Sequence, residues 1–394
     1  NTQEILADYA YNYYTFTVAN GTQVIPGGDI NGDGMEDIVL FTDQNLTSAS
    51  DGNQGAGSTT GILYGRASSE LPLGSGFGYI APVTPNTSAP LMPLPGVAVA
   101  GGLTDAAPSV IAVGNTLYAA VKGVGSGNTS IWFTQSSDGG NSWNSWTDLS
   151  SFNPAFTTNS SPSLAFFNNR LFLGFVTSNG ALSLSNWDPT SANPLAWSAP
   201  SALGSATAGT AGTAAFSSSF SPQLVNRGDA LGVLWVDQGS GSISAASSTM
   251  PAAVPLPSPW AVAQGGSSQG TPALARDGNT IYMAVQSGPN NTSNALYWTS
   301  SSDGGATWAS WQALPSTMTS TKPPSLAVLN GTLYLSYLGT GNNQINITSL
   351  NNAATNTWSS VYQIPGQSAT YASLATESVG NTSQLAVYYV SNDS

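Results

Sequence analysis

The chain contains no cysteine and no histidine among its 394 residues. Without cysteine there is no disulfide framework and no thiolate ligand or nucleophile; a chain this long buries enough core to do without cross-links. The zero count fits a bacterial or archaeal exterior better than a eukaryotic one. Without histidine, Ser-His-Asp and Cys-His catalysis are excluded, as is every His- or Cys-based zinc site. Charge is scarce as well. Six Lys+Arg stand against 19 Asp+Glu, giving a net charge of −13 and a pI near 4.1. So little positive charge cannot neutralise a phosphate backbone, which excludes nucleic acid as a partner. It equally disfavours an anionic membrane surface. No apolar run approaches the length of a bilayer span. No signal peptide is visible, and a start at Asn1 is read as a mature form from which one was removed.

What is present is Ser, Thr, Asn, Gly and Ala in abundance, with 40% hydrophobic residues and only 6% charged ones. This composition suits an extracellular or cell-surface protein. Asn-x-Ser/Thr sequons such as Asn128-Thr129-Ser130 and Asn346-Ile347-Thr348 arise readily by chance in such a chain and do not by themselves indicate glycosylation.

An internal repeat decides the architecture. Residues 322–337 read KPPSLAVLNGTLYLSY: proline, a short apolar strand, a tight turn, and a second apolar strand. The pattern recurs from Pro108, Pro162, Pro222 and Pro272, with a proline-less version from Ala372. The turns Gly114-Asn115, Asn168-Asn169, Gly278-Asn279 and Asn330-Gly331 are hairpin chemistry, because Asn and Gly tolerate positive φ. Each full repeat continues through another strand to a tryptophan: Trp146, Trp197, Trp260, Trp311 and Trp358. Four strands in about 50 residues make one propeller blade. The expected fold is therefore all-β, a seven-bladed β-propeller of four-stranded antiparallel blades forming one domain over residues 1–394. In this reading residues 22–95 form one blade and 105–366 form five. The partial blade at 372–394 is completed by strands from residues 1–20, which closes the ring and removes exposed sheet edges. The alternative is a six-bladed ring with a separate calcium-binding module.

Residues 25–40 read IPGGDINGDGMEDIVL. Oxygen-bearing side chains at Asp29, Asn31, Asp33 and Asp37, with the carbonyl of Met35, can surround one Ca²⁺, and Gly34 permits the sharp turn. An EF-hand would place a bidentate Glu where Leu40 stands, so this is not an EF-hand. The segment resembles the FG-GAP repeat of integrin α-subunit propellers and related bacterial extracellular proteins. That resemblance implies a calcium loop joining two strands of one blade. A plain Asp/Asn/Gly turn without metal is the competing reading.

Ser136–Trp143 (SSDGGNSW) and Ser301–Trp308 (SSDGGATW) share a second motif. It resembles the Asp-box, or BNR repeat, of sialidases and other propellers. The resemblance implies a folding element between the two outer strands of a blade, remote from catalysis, in which the Asp accepts turn N–H groups. The sialidase catalytic set is not matched. The only arginines are Arg66, Arg170, Arg227 and Arg276, and the last three fall at equivalent hairpin turns, which places them on the rim. The only glutamates are Glu4, Glu36, Glu70 and Glu377, the last in an expected hairpin turn.

These features lead to the expectation of an extracellular, calcium-stabilised propeller that binds or adheres and does no chemistry. Glycans or other cell-surface proteins are the expected partners. Trp146, Trp197, Trp260, Trp311 and Trp358 are the candidate stacking platforms, weighed against their use in blade-to-blade packing. A self-assembling block of a fibre, sheath or array is the alternative, and a sialidase-like glycosidase is the distant one.

Overall fold

A computed structural model describes residue 99 and residues 101–391 except 126, 205–215, 219, 249–257, 260–265, 288–293 and 380–381; of residues 1–98 it otherwise describes backbone strands alone. The chain divides into two compact units, Asn1–Leu73 and Gly74–Ser394.

In the first unit, Gln3–Tyr9 pairs antiparallel with Asn12–Val18. Gln23–Gly28, Asp37–Thr42 and Thr59–Leu63 form a three-stranded antiparallel sheet.

The second unit is a β-propeller in which five blades are built from contiguous sequence. Their innermost strands are Ser109–Val113, Ser163–Phe167, Gln223–Asn226, Ala273–Asp277 and Ser325–Leu329. Their second strands are Thr116–Lys122, Arg170–Val176, Leu231–Val236, Thr280–Gln286 and Thr332–Leu338. A third and a short fourth strand complete each blade; in the fifth, Thr357–Trp358 and Tyr362–Gln367 both pair with Gln344–Asn352. A further sheet joins Ser373–Val379 and Thr382–Val390 to Phe77–Val83 and Gly96–Ala98.

The expected count of seven blades is thus corrected to five. The expected closure by N-terminal strands is corrected too: those strands pair with each other, and Thr382–Val390 takes Phe77–Val83 as its neighbour. The two N-terminal strands, joined by a two-residue connection, satisfy each other's backbone groups over their full length and leave the edge of the C-terminal sheet to Phe77–Val83.

The hairpin turns behave as their residues require. Asn168, Asn169, Gly114, Gly278, Asn330 and Gly331 all take positive φ, between 47° and 75°. In the second strands burial is nearly continuous instead of alternating: in Arg170–Val176 and Thr332–Leu338 every residue after the first is buried. Neighbouring blades cover both faces of these strands, which is why they read as unbroken apolar runs.

A second periodicity is less visible in the sequence. Thr104, Thr158, Ser218, Ser268, Ser320 and Ser368 each stand five residues before the first residue of an inner strand or of Ser373–Val379, and all are at most 3% exposed. Their hydroxyls accept the N–H two residues on, as Thr158 does from Ser160 at 3.1 Å and Ser218 from Phe220 at 3.2 Å. They also donate to the end of the same sheet's second strand: Thr158 to the Val176 carbonyl at 2.8 Å, Ser218 to Val236 at 2.9 Å, Ser368 to Val390 at 3.1 Å. In these three the hydroxyl ties the entry loop to its own sheet.

Seryl hydroxyls also join neighbouring sheets. Leu164 N donates to Ser109 Oγ at 3.0 Å, Leu224 N to Ser163 Oγ at 3.0 Å, and Leu374 N to Ser325 Oγ at 2.9 Å. Ser373 Oγ donates to the Pro108 carbonyl, linking the C-terminal sheet to the first blade. Ser373–Val379 packs against the inner strands of both the fifth and the first blade. Among the described residues no helix is long and apolar enough to cross a membrane.

Candidate functional site

A central pocket of about 510 Å³ lies where the inner strands converge. It is lined by the opening residues of all five inner strands and by Tyr371, Ser373 and Leu374 of the C-terminal sheet. The inner strand is the edge of its blade, so the lining is built from strand edges and from small polar groups at Ser109, Ser163, Gln223 and Ser325.

Tyr371 sits at one end. Its hydroxyl lies in hydrogen-bond reach of Ser161, Ser221 and Thr271, which directly precede the inner strands of the second, third and fourth blades. One side chain therefore crosses from the C-terminal sheet to the far blades. Burial pushes its phenol above the ordinary tyrosine range, and the three hydroxyl contacts offset this in part. The phenol stays neutral and acts as a hydrogen-bonding bar across that end.

Arg276 sits at the other end and is the only charged residue in the lining. This corrects the expectation that Arg170, Arg227 and Arg276 all stay on the rim. Arg227 does so: its Nε donates to the Gly304 carbonyl at 2.7 Å and its Nη1 to Ser247 Oγ at 2.8 Å. Arg170 Nε donates to Asn186 Oδ1 at 2.6 Å, within its own blade. Arg276 instead leans onto the 226–230 turn, where its Nη1 donates to Asn226 Oδ1 at 3.3 Å. The three are not equivalent in the structure: Arg170 opens a second strand, Arg227 lies in the turn between strands, and Arg276 is inside an inner strand, the element that lines the pocket.

The two Ser-x-Asp octapeptides fold alike. Asp138 Oδ1 accepts from Ser142 N at 2.9 Å and from Ser136 Oγ at 2.7 Å; Asp303 Oδ1 accepts from Thr307 N at 2.9 Å and from Ser301 Oγ at 2.7 Å. The hydroxyls of Ser142 and Thr307 reach the second carboxylate oxygen at 2.6 Å. Burial pushes Asp138 up, but its hydrogen bonds from Ser142 and Ser136 outweigh that and hold the carboxyl below the usual range. The Thr307 hydroxyl and N–H, with Ser301, hold Asp303 far below it. A carboxylate so fully engaged by its own turn is a structural acceptor. Trp143 packs edge-on against Tyr388 with centroids 6.3 Å apart and donates from Nε1 to the Gly140 carbonyl at 3.1 Å.

The candidate stacking tryptophans are placed differently from one another. Trp197 is 3% exposed and Trp358 is 8% exposed, so neither offers a face to a sugar. Trp197 lies 6.0 Å from Trp187 and 5.2 Å from Phe133, and Trp358 meets Trp298 edge-on at 5.8 Å. These rings cement adjacent blades. Trp146 and Trp311 are half-buried against core clusters, and Trp260 lies outside the described residues.

Glu377 is not in a turn as expected but inside strand Ser373–Val379, 2% exposed. It accepts from Gln384 Nε2 at 2.9 Å and from Tyr388 Oη at 3.1 Å, away from the pocket lining. The calcium candidates Asp29, Asn31, Asp33 and Met35 lie outside the described residues; Asp37 opens strand Asp37–Thr42. Among the described residues no three acidic side chains cluster to hold a metal.

No protein-family model and no curated protein matches this sequence. Its fold is that of solved β-propellers. It is similar to a protein of unknown function from Dyadobacter fermentans at 15% identity and TM-score 0.50, covering 72% of this chain and 94% of that one. It is also similar to an α-L-arabinanase from Penicillium chrysogenum, solved with arabinobiose, at 16% identity and TM-score 0.49, covering 73% and 93%. A Hadza microbial sialidase matches at 12% identity and TM-score 0.49, covering 73% of this chain and 65% of that one. These identities show the fold alone. The expectation of a propeller that binds without chemistry is corrected to that extent: solved structures of similar fold include an arabinanase and a sialidase, so the fold does not exclude chemistry.

Proposed function

We propose that the chain is a glycosidase-type propeller that receives the end of a sugar chain in its central pocket. The observation that carries this reading is the pocket itself. At about 510 Å³ it has the size of a small-ligand site, it is barred at one end by Tyr371, and it is lined by hydroxyl, amide and guanidinium groups. Hydrolysis of a glycosidic bond needs two carboxyl groups flanking it. Among the described residues the pocket lining holds none, and this proposal draws them from its Arg276 end. Asp277 follows Arg276 directly, and Asp229 stands on the turn that Arg276 leans against; both are exposed. These two carry the acid and base roles in this proposal.

The test is release of reducing sugar from arabino-, galacto- and sialo-oligosaccharides. Turnover is expected, with a loss of about a hundredfold or more in Asp277→Asn. Folded protein that turns over none of these substrates sinks the proposal.

Two finer points belong to the same reading. The C-terminal sheet acts as a sixth blade that closes the ring, supported by its packing against the first and fifth blades and by the Ser373–Pro108 hydrogen bond. Ca²⁺ is held by Asp29, Asn31, Asp33, Met35 and Asp37. Support comes from the pairing of Gly28 with Asp37, which makes residues 29–36 the connection of a hairpin and brings both ends of the ligand set together. Chelator is expected to lower the melting temperature of the wild-type protein and to leave Asp33→Ala unchanged. An identical melting curve with and without chelator in the wild type refutes the site.

A further inference from the structure

We infer that Arg276 makes the open end of the central pocket a carboxylate-binding subsite, so that the sugar it favours is an acidic one such as a uronic acid. This rests on the pocket being the binding site, as proposed above, but not on hydrolysis.

The argument starts from how the guanidinium is held. Its Nε donates to the Gly278 carbonyl at 2.6 Å and its Nη1 to Asn226 Oδ1 at 3.3 Å. Asn226 is itself fixed, accepting from Gly228 N at 2.8 Å and donating to the Phe166 carbonyl of the second blade at 2.9 Å. Gly228 has φ +103°, and a Cβ there would come within 2.7 Å of Arg276 Nη2. Glycine at this point lets the guanidinium lie flat on the turn, and any larger residue would displace it. The side chain is therefore positioned from three sides, and two of its donors are engaged by neutral acceptors. The remaining donors stay available in the fork geometry that suits a carboxylate.

The electrostatics point the same way. Arg276 makes no ion pair with a described carboxylate. It is half-buried and faces a cavity whose lining carries no acid. A fixed cation that makes no ion pair at the mouth of a cavity lined by no described acid attracts an anion more strongly than one in open water, while the exposed Asp229 and Asp277 at the same end act against it. In a chain with six basic residues, placing one of them here is a selective feature.

The experiment is calorimetric titration of the full chain with trigalacturonate and, separately, with its methyl ester, which has the same skeleton without charge. The acid is expected to bind at least tenfold more tightly than the ester, and to weaken as NaCl is raised. Arg276→Gln is expected to abolish the difference, and Arg276→Lys to keep part of it. Equal binding of acid and ester by the wild type overturns the inference without any variant, as does the absence of binding to both. Acid preference retained in folded Arg276→Gln overturns it too. Acid-selective binding without hydrolysis of any substrate would refute the glycosidase proposal and leave this one standing; hydrolysis of neutral sugars with no acid preference would do the reverse.

Discussion

Replacing Trp187 by alanine is expected to lower stability by about 3–5 kcal/mol, the range for emptying a well-packed aromatic site. Trp187 is 2% exposed and closes the third strand of the second blade. Its ring lies 5.5 Å from Phe133 and 5.9 Å from Tyr118, both of the first blade, and stacks at 6.0 Å on Trp197. Its Nε1 donates to the Asn193 carbonyl at 3.0 Å, a bond the substitution also removes. The side chain thus bridges two blades. Trp146→Ala serves as the comparison, because that ring is only half-buried and should cost clearly less. Urea unfolding followed by fluorescence measures both. A loss under about 1 kcal/mol for Trp187→Ala would mean that the blades are not held together by this cluster.

Asp105→Ala is expected to destabilise by about 1–3 kcal/mol, whereas Lys122→Met should be close to neutral. The asymmetry follows from burial. The Lys122 side chain is 7% exposed and that of Asp105 42%, with Nζ 2.6 Å from Oδ1. Removing the aspartate strands a cation in the interior with only the carbonyls of Gly123 at 2.9 Å and Gly125 at 3.4 Å to solvate it. Removing the lysine leaves an aspartate that water can reach and replaces a buried charge with an apolar chain of similar length. Solvent access to Asp105 keeps the first figure below that of a fully buried pair. Melting temperatures of the two single variants decide it; equal losses would show that the pair acts as an ordinary surface contact.

The legible part of this fold was local. Short apolar runs and the Asn/Gly turns at 114–115, 168–169, 278–279 and 330–331 located the inner hairpins, because tolerance of positive φ, taken up at Gly114, Asn168, Asn169, Gly278, Asn330 and Gly331, is a property of the residues themselves. The octapeptides at 136–143 and 301–308 announced self-contained turns, since every hydrogen bond on Asp138 and Asp303 comes from within four residues. The buried hydroxyls at Thr158, Ser218 and Ser368 recur with equal regularity, but they hide in a chain where Ser and Thr are everywhere. The blade count was misjudged because strand partners far apart in sequence leave no local mark: nothing in Thr382–Val390 names Phe77–Val83 as its neighbour.

The site divides along the same line. Tryptophans at 197 and 358 recur at one place in each blade whether they face a ligand or a neighbouring blade, and only the packing of Phe133, Trp187 and Trp298 around them separates those uses. Composition by itself determined what chemistry is excluded: with no histidine and no cysteine, no fold can supply imidazole or thiolate. Repeat spacing by itself determined that the chain folds into small antiparallel sheets arranged as a propeller. The tertiary structure alone decided that Tyr371 spans to Ser161, Ser221 and Thr271, and that Arg276 and not Arg227 turns into the pocket. Those contacts join residues 50 to 210 positions apart, set by how blades meet around a common centre, and pairing of that kind is a property of the assembled sheets and not of any stretch of sequence.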